Sequence, residues 1–195
     1  MAVRRTHVGL LRGVNVLGRN KVSMPELRQL VESLGHGDVV TYIQSGNVVF
    51  TVRGRLDDGR IERDIERAIA VATGVRPAVV VVRVAELARV IRANPFPNVS
   101  EPRLLHAVFL PRRPDKAGLA SVAAAVERSR AKGSRDEATV IGRVLYLHTP
   151  DGFGPSVLRR ELDRRGANRS PLADGTARNW RTVTALAELT GASGN

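Results

Sequence analysis

The sequence predicts an α+β protein of two ferredoxin-like halves, each running βαββαβ, with helices covering the sheets. Three observations lead there. Short apolar segments of strand length alternate with stretches whose apolar residues recur at helical spacing. That order is completed by residue 83 and a similar one follows, so the expected domains are 1–83 and 84–195, the second ending in a C-terminal helix. Val79-Val80-Val81-Val82 shows no polar alternation, which is the pattern of a strand buried on both faces. A lone βαββαβ layer leaves one sheet face bare, and the second half is the natural cover. The repeat is one of element order, not of residue identity.

Each element has its own warrant. Residues 6–12 are a short apolar strand, followed at 13–20 by a loop with two glycines and two asparagines suited to turns. Ser23-Met24-Pro25-Glu26 has the form of a capping box, and Met24, Leu27, Leu30, Val31 and Leu34 form an apolar stripe ended by Gly35. A hairpin spans residues 39–52 and bends at Gln44-Ser45-Gly46-Asn47. Asp57 or Asp58 caps a second helix bearing Ile61, Ile65, Ile69 and Ala72, with Gly74 as its stop. Residues 78–82 are the fourth strand. A short helix with Leu87, Val90 and Ile91 stops at Asn94-Pro95, and residues 96–103 form a proline-bearing connection, itself a candidate boundary. Residues 104–110 read as a strand. A helix striped by Leu119, Val122, Ala123 and Val126 follows, then a tight hairpin turning at Gly142-Arg143. One helix begins near Pro155, and a last helix carries Trp180, Val183, Leu186 and Leu189.

Composition narrows the class. Of 195 residues 43% are hydrophobic and 26% charged, an ordinary globular balance, while aromatics at 4% leave the core to Val, Leu, Ile and Ala. The chain has no cysteine, so disulfides, thiolate metal sites and cysteine nucleophiles are excluded. No window approaches the roughly 18 apolar residues of a membrane span, and the run Val8-Gly9-Leu10-Leu11 is too short for a secretory signal. These features fit a cytoplasmic protein with no membrane partner. The net charge of +12 invites nucleic-acid binding through counterion release. Against that, 28 of the 31 basic residues are Arg and they are scattered along the chain, as a compositional bias would leave them.

Four polar clusters stand out. Arg12-Gly13-Val14-Asn15, continuing to Asn20 and Lys21, lies where a strand ends and its loop begins, a common place for ligands. It also suits a loop holding its own backbone through side-chain bonds. Gln44, Ser45 and Asn47 crowd round Gly46 with more polarity than a turn needs; Gly142-Arg143 is the plain counterpart. Asp151-Gly152-Phe153-Gly154-Pro155-Ser156 stands at a predicted helix start, where free amides and the Ser156 hydroxyl suit an anion, although Pro155 removes one donor and a simple turn is the rival reading. Arg178 and Asn179 precede the single Trp, Trp180, with Arg181 after it. Arginine suits bidentate carboxylate or phosphate binding, and Asn179 suits a helix cap.

Other chemistries find no support in the residues. His7, His36, His106 and His148 lack metal-ligand spacing, and no cofactor motif is present. His106 and His148 fall in strands and read as partly buried core. No nucleophile elbow or triad appears, and Asp57-Asp58 reads as a cap. An RNA-recognition sheet needs stacking aromatics on its central strands, and Phe50 stands alone.

The chain resembles the bacterial domain-of-unknown-function 1697 family. The resemblance rests on Leu10-Leu11-Arg12-Gly13-Val14-Asn15-Val16, on Asn20-Lys21-Val22 with Met24 and Leu27, and on the block from Tyr42 through Phe50. It extends through Asn94-Pro95-Phe96 to Thr176-Ala177-Arg178-Asn179-Trp180 with Thr182-Val183. It implies two ferredoxin-like subdomains and brings no established reaction and no catalytic residue. Two departures occur. Leu17-Gly18-Arg19-Asn20 replaces the family's double glycine followed by Lys-Asn, and Pro155 stands where a basic residue commonly precedes the serine matching Ser156.

The leading expectation is a polar cleft for an anionic small molecule or nucleotide, drawing on Arg12, Asn15, Asn20, Lys21, Gln44, Ser45, Asn47, Ser156, Arg178 and Asn179. Alternatives are sequence-tolerant nucleic-acid binding through the basic surface, and an enzyme on a phosphorylated or carboxylated substrate with Ser45 or Ser156 as nucleophile.

Overall fold

A computed structural model describes residues 5–164 and 174–192. The chain follows the order β1 (His7–Leu11), α1 (Met24–Ser33), β2 (Gly37–Tyr42), β3 (Asn47–Thr51), α2 (Asp58–Thr73), β4 (Val79–Arg83) and α3 (Val84–Arg92). It continues with β5 (Leu105–Phe109), α4 (Lys116–Arg130), β6 (Glu137–Ile141), β7 (Val144–His148), α5 (Val157–Asp163), β8 (Thr176–Asn179) and α6 (Trp180–Thr190). The strands form two four-stranded antiparallel sheets, ordered β2-β3-β1-β4 and β6-β7-β5-β8. Relabelled within each half, the two orders are the same, so the α+β expectation of two sheet-and-helix halves holds.

Contacts divide the chain into Met1–Arg89 with Thr184–Asn195, and Val90–Val183. The expected boundary at 83/84 is where α3 begins; the division by contacts falls within α3, at 89/90, and α6 begins in the second unit and ends in the first.

The capping chemistry behaves as its residue types dictate. The Ser23 hydroxyl accepts from the Glu26 amide at 3.2 Å, and Asp57 accepts from the Arg60 amide at 3.2 Å. Gly74 ends α2 in a left-handed conformation, φ 71°, where a side chain is penalised. In the first unit α1 presents Leu27 and Val31, and α2 presents Ile61, Ile65 and Ile69, to Leu11, Val48, Phe50, Val79 and Val81 of the sheet. The alternate residues Val8, Leu10, Val49, Val80 and Val82 are buried too. Both faces of the sheet are therefore covered, as the valine run requires.

The second unit repeats the scheme. Val122 and Ala125 of α4 and Leu158 and Leu162 of α5 pack against Val108, Leu145 and Leu147. On the other face Ala107, Phe109 and Tyr146 are buried, and the Tyr146 hydroxyl donates to the Val90 carbonyl at 2.9 Å. A buried phenol needs such a partner, and burial raises this one to a pKa of about 12. Glu161 lies beneath Lys132, Arg128 and Arg164, and hydrogen bonds from Lys132 first and Arg128 next pull its carboxyl down to about 2. No helix among the described residues is long and apolar enough to cross a membrane.

Candidate functional site

The loop after β1 and the hairpin turn between β2 and β3 are built as one piece. Val14 and Val22, at either end of the loop, belong to the first unit's core. Between them the Asn15 side chain does three jobs. Its Nδ2 donates to the carbonyls of Val22 and Gln44, each at 2.8 Å, and its Oδ1 accepts from the Val22 amide at 3.0 Å. A single amide thus staples both arms of the loop to the neighbouring turn. Asn20 closes the loop's base by donating to the Gly13 carbonyl at 2.9 Å. The tip is a tight reversal at Leu17-Gly18, with the Arg19 amide donating to the Val16 carbonyl at 2.9 Å.

Across the junction, Asn47 is fully buried. Its Nδ2 donates to the Tyr42 carbonyl at 3.0 Å and to Ser45 Oγ at 2.9 Å, so it holds the turn from within. Gly46 is required twice over. Its φ is 73°, and a β-carbon there would lie 2.5 Å from Val14 Cγ2 and 2.7 Å from Leu11 Cβ. No side chain fits.

The backbone at this junction is strained in a way the fold alone does not explain. Five non-glycine residues among those described have positive φ: Asn15, Leu17, Asn20, Asp38 and Ile43. All five are in the first unit, and four of them are at the junction. Asparagine tolerates this region, but leucine at 49° and β-branched isoleucine at 47° do not, at a cost of roughly 1–2 kcal/mol each. Leu17 projects into solvent, 96% exposed, so packing does not offset its strain. Strain of this kind collects where a surface must be held in a set shape.

Around this frame stand Arg12, Arg19, Lys21 and Gln44, all exposed. Among the described residues none of the three cations is ion-paired, so nothing neutralises their charge locally.

The remaining candidates lie in the second unit and are engaged there. Ser156 caps α5: its Oγ accepts from the Arg159 amide at 2.9 Å and donates to Asp136 Oδ2 at 2.9 Å. The same carboxylate oxygen accepts from the Leu158 amide at 3.1 Å. The helix start that suited an external anion already holds a carboxylate of the chain itself. Asn179 caps α6, its Oδ1 accepting from both the amide and the hydroxyl of Thr182 at 2.9 Å. Arg178 sits in β8, opposite Ala107, and is 8% exposed. Its Nη1 donates to Thr176 Oγ1 at 2.7 Å and to the Ala177 carbonyl at 2.8 Å. Burial lowers its pKa to about 10, which leaves it charged at neutral pH. Reading residues 176–179 as a cap and flank missed this strand, because Thr-Ala-Arg-Asn has no apolar alternation to mark it. Sequence reasoning also passed over Arg19, although its place between Gly18 and Asn20 in a cationic loop was a usable signal.

Besides Ser129, whose buried hydroxyl also has no hydrogen-bond partner, the second unit has an exception in His106. It stacks on Phe153 with ring centroids 4.1 Å apart, its buried Nδ1 has no hydrogen-bond partner, and burial pulls its pKa down to about 4. Among the described residues no group of three or more His, Cys, Asp or Glu side chains is disposed to hold a metal ion.

Comparison with known proteins agrees with the architecture. A family model described as a protein of unknown function (DUF1697) matches residues 4–146. No curated protein matches the chain. The solved structure of the conserved bacterial protein SP0830 from Streptococcus pneumoniae is similar at 21% identity, covering 95% of this chain and 98% of that one with a TM-score of 0.71. At that identity the likeness is one of fold.

Proposed function

The chain belongs to the DUF1697 family, and from the geometry of its first unit we propose that it binds an anionic small molecule, a nucleotide among the candidates, at the junction of the β1–α1 loop and the β2–β3 turn. Arg12, Arg19, Lys21 and Gln44 are the contact groups. Asn15, Asn20, Ser45 and Asn47 are the frame that sets their positions. One observation carries this reading: four left-handed non-glycine residues are fixed at one exposed place where three cations have no ion-pair partner among the described residues. A turn that only reverses the chain needs neither. Guanidinium and ammonium groups favour phosphate or carboxylate, and a rigid backbone frame confines the freedom lost on binding to the side chains themselves. Leu17 and Ile43, exposed beside them, offer apolar contact to the uncharged part of such a ligand. Ser156, Arg178 and Asn179 are not needed for this reading.

A thermal-shift screen of nucleotides, sugar phosphates and dicarboxylates tests it. A ligand of the folded form raises Tm with its occupancy, and the combined Arg12→Gln and Lys21→Gln substitutions are expected to remove the shift. A shift that survives both substitutions, or a screen in which no anion shifts the wild type, overturns the reading.

A further inference from the structure

A second concentration of unpaired cations lies elsewhere in the first unit. β4 is an edge strand, and α2 runs beside it. Glu62 and Glu66, one helical turn apart, accept from the amides of Val81 and Val79 at 2.8 Å each. Four residues of helix advance about 6 Å and two residues of strand nearly 7 Å, so the spacing matches and both edge amides are capped. This closes the edge to strand addition. Each carboxylate thereby holds one edge amide of the backbone.

A groove of about 500 Å3 lies between α2 and the start of β4, with Ala70, Pro77 and Ala78 as its apolar lining, Arg63, Arg67 and Arg76 around it, and Glu66 on its wall. All three arginines are exposed, and among the described residues none is ion-paired. Arg60 and Arg83 nearby are each paired, with Asp64 and Asp58. Arg63 and Arg67 stand four apart on one helix, where like charges repel. An anion in the groove relieves that repulsion.

We propose that this groove binds the phosphate backbone of a nucleic acid without reading its bases. Beside the three arginines and Glu66, whose Oε1 is taken by the Val79 amide, the lining carries no aromatic ring to stack a base and no side-chain amide to read one, while two guanidinium groups in a row along a helix suit successive phosphates. The chain's net charge of +12 adds long-range attraction.

The test is fluorescence anisotropy of a labelled mixed-sequence single-stranded DNA across a salt series, with inorganic tripolyphosphate as competitor. Replacing Arg63, Arg67 and Arg76 together by Gln is expected to reduce the slope of log K against log salt by about 2, since each phosphate contact on a single strand contributes roughly 0.7. An oligothymidylate of the same length is expected to bind like the mixed sequence. Arg112→Gln with Arg113→Gln, exposed cations of the second unit, is expected to change the slope far less than the triple substitution, which separates this groove from net charge alone. Absence of binding at low salt, or a slope unaltered by the triple substitution, overturns the proposal. Tripolyphosphate displacing DNA at equal concentration also overturns it, because the groove is then a small-anion site.

Discussion

Between β6 and β7 the chain reverses in two residues, Gly142 and Arg143; between β2 and β3, the equivalent place in the first half, it takes the four residues 43–46. A β-carbon built on Gly142 meets nothing within 4 Å, whereas one built on Gly46 collides with Val14 and Leu11. The preceding connections differ likewise. Residues 110–115 pass from β5 to α4 directly, while residues 12–23 detour through a stapled loop with five residues at positive φ, two of them glycines. Because the two sheets share one strand order, what the first half adds is not required by the fold. The second half shows the minimum, and the surplus of the first marks a surface held for another purpose.

Substitution at the two glycines breaks this comparison most sharply. Gly46→Ala is expected to destabilise by about 3 kcal/mol or more, combining left-handed strain with overpacking. Gly142→Ala meets only the strain, about 1 kcal/mol. Urea unfolding of the two variants measures the difference, and equal losses would remove the distinction between the turns.

The second half carries its own liability in a buried side chain rather than in its backbone. The pKa of His106 is about 4 in the folded state against 6.5 for the free group. Because the unfolded chain takes up the proton first, stability is full above pH 6.5 and falls as pH drops toward 4, by up to about 3 kcal/mol from this residue. Stability curves at pH 7 and pH 4.5 check this: His106→Leu is expected to lose less on acidification than the wild type. Burial lowers His7 and His36 as well, with the same sign, so the variant retains part of the dependence.

Asn15→Gly keeps the left-handed backbone but removes the staple, and is expected to cost about 2 kcal/mol in lost hydrogen bonds. It is also expected to speed amide exchange in residues 13–22, while residues 110–115 stay unchanged. The smallest effect has the opposite sign. Ile43→Asn is expected to stabilise by about 1 kcal/mol, since asparagine tolerates φ near 50° and the isoleucine side chain is 51% exposed. A loss of stability there would mean that packing, not a functional surface, keeps Ile43 strained.

Much of the architecture was legible because local signals agreed with the fold. Ser23, Asp57 and Gly74 are caps by residue type, and the valines of β4 announced a two-sided burial. β8 was not legible, since Arg178 is polar yet buried and its strand has four residues. The site was legible in part. Asn15, Asn20 and Gly46 are residues that accept positive φ, so their loops drew notice. Leu17 and Ile43 avoid it, and only the folded structure reveals that they adopt it. Ser156 was correctly seen at a helix start, but the carboxylate facing it comes from Asp136, twenty residues earlier, which spacing within a motif does not disclose.

The most direct measurement is an amide correlation spectrum of the nitrogen-15-labelled protein titrated with ATP as an anionic probe. Saturable shifts are predicted for the amides of residues 12–22 and 43–47, with residues 110–115 and 141–144 unmoved. Equal perturbation at both hairpin turns, or none at the first, contradicts the account.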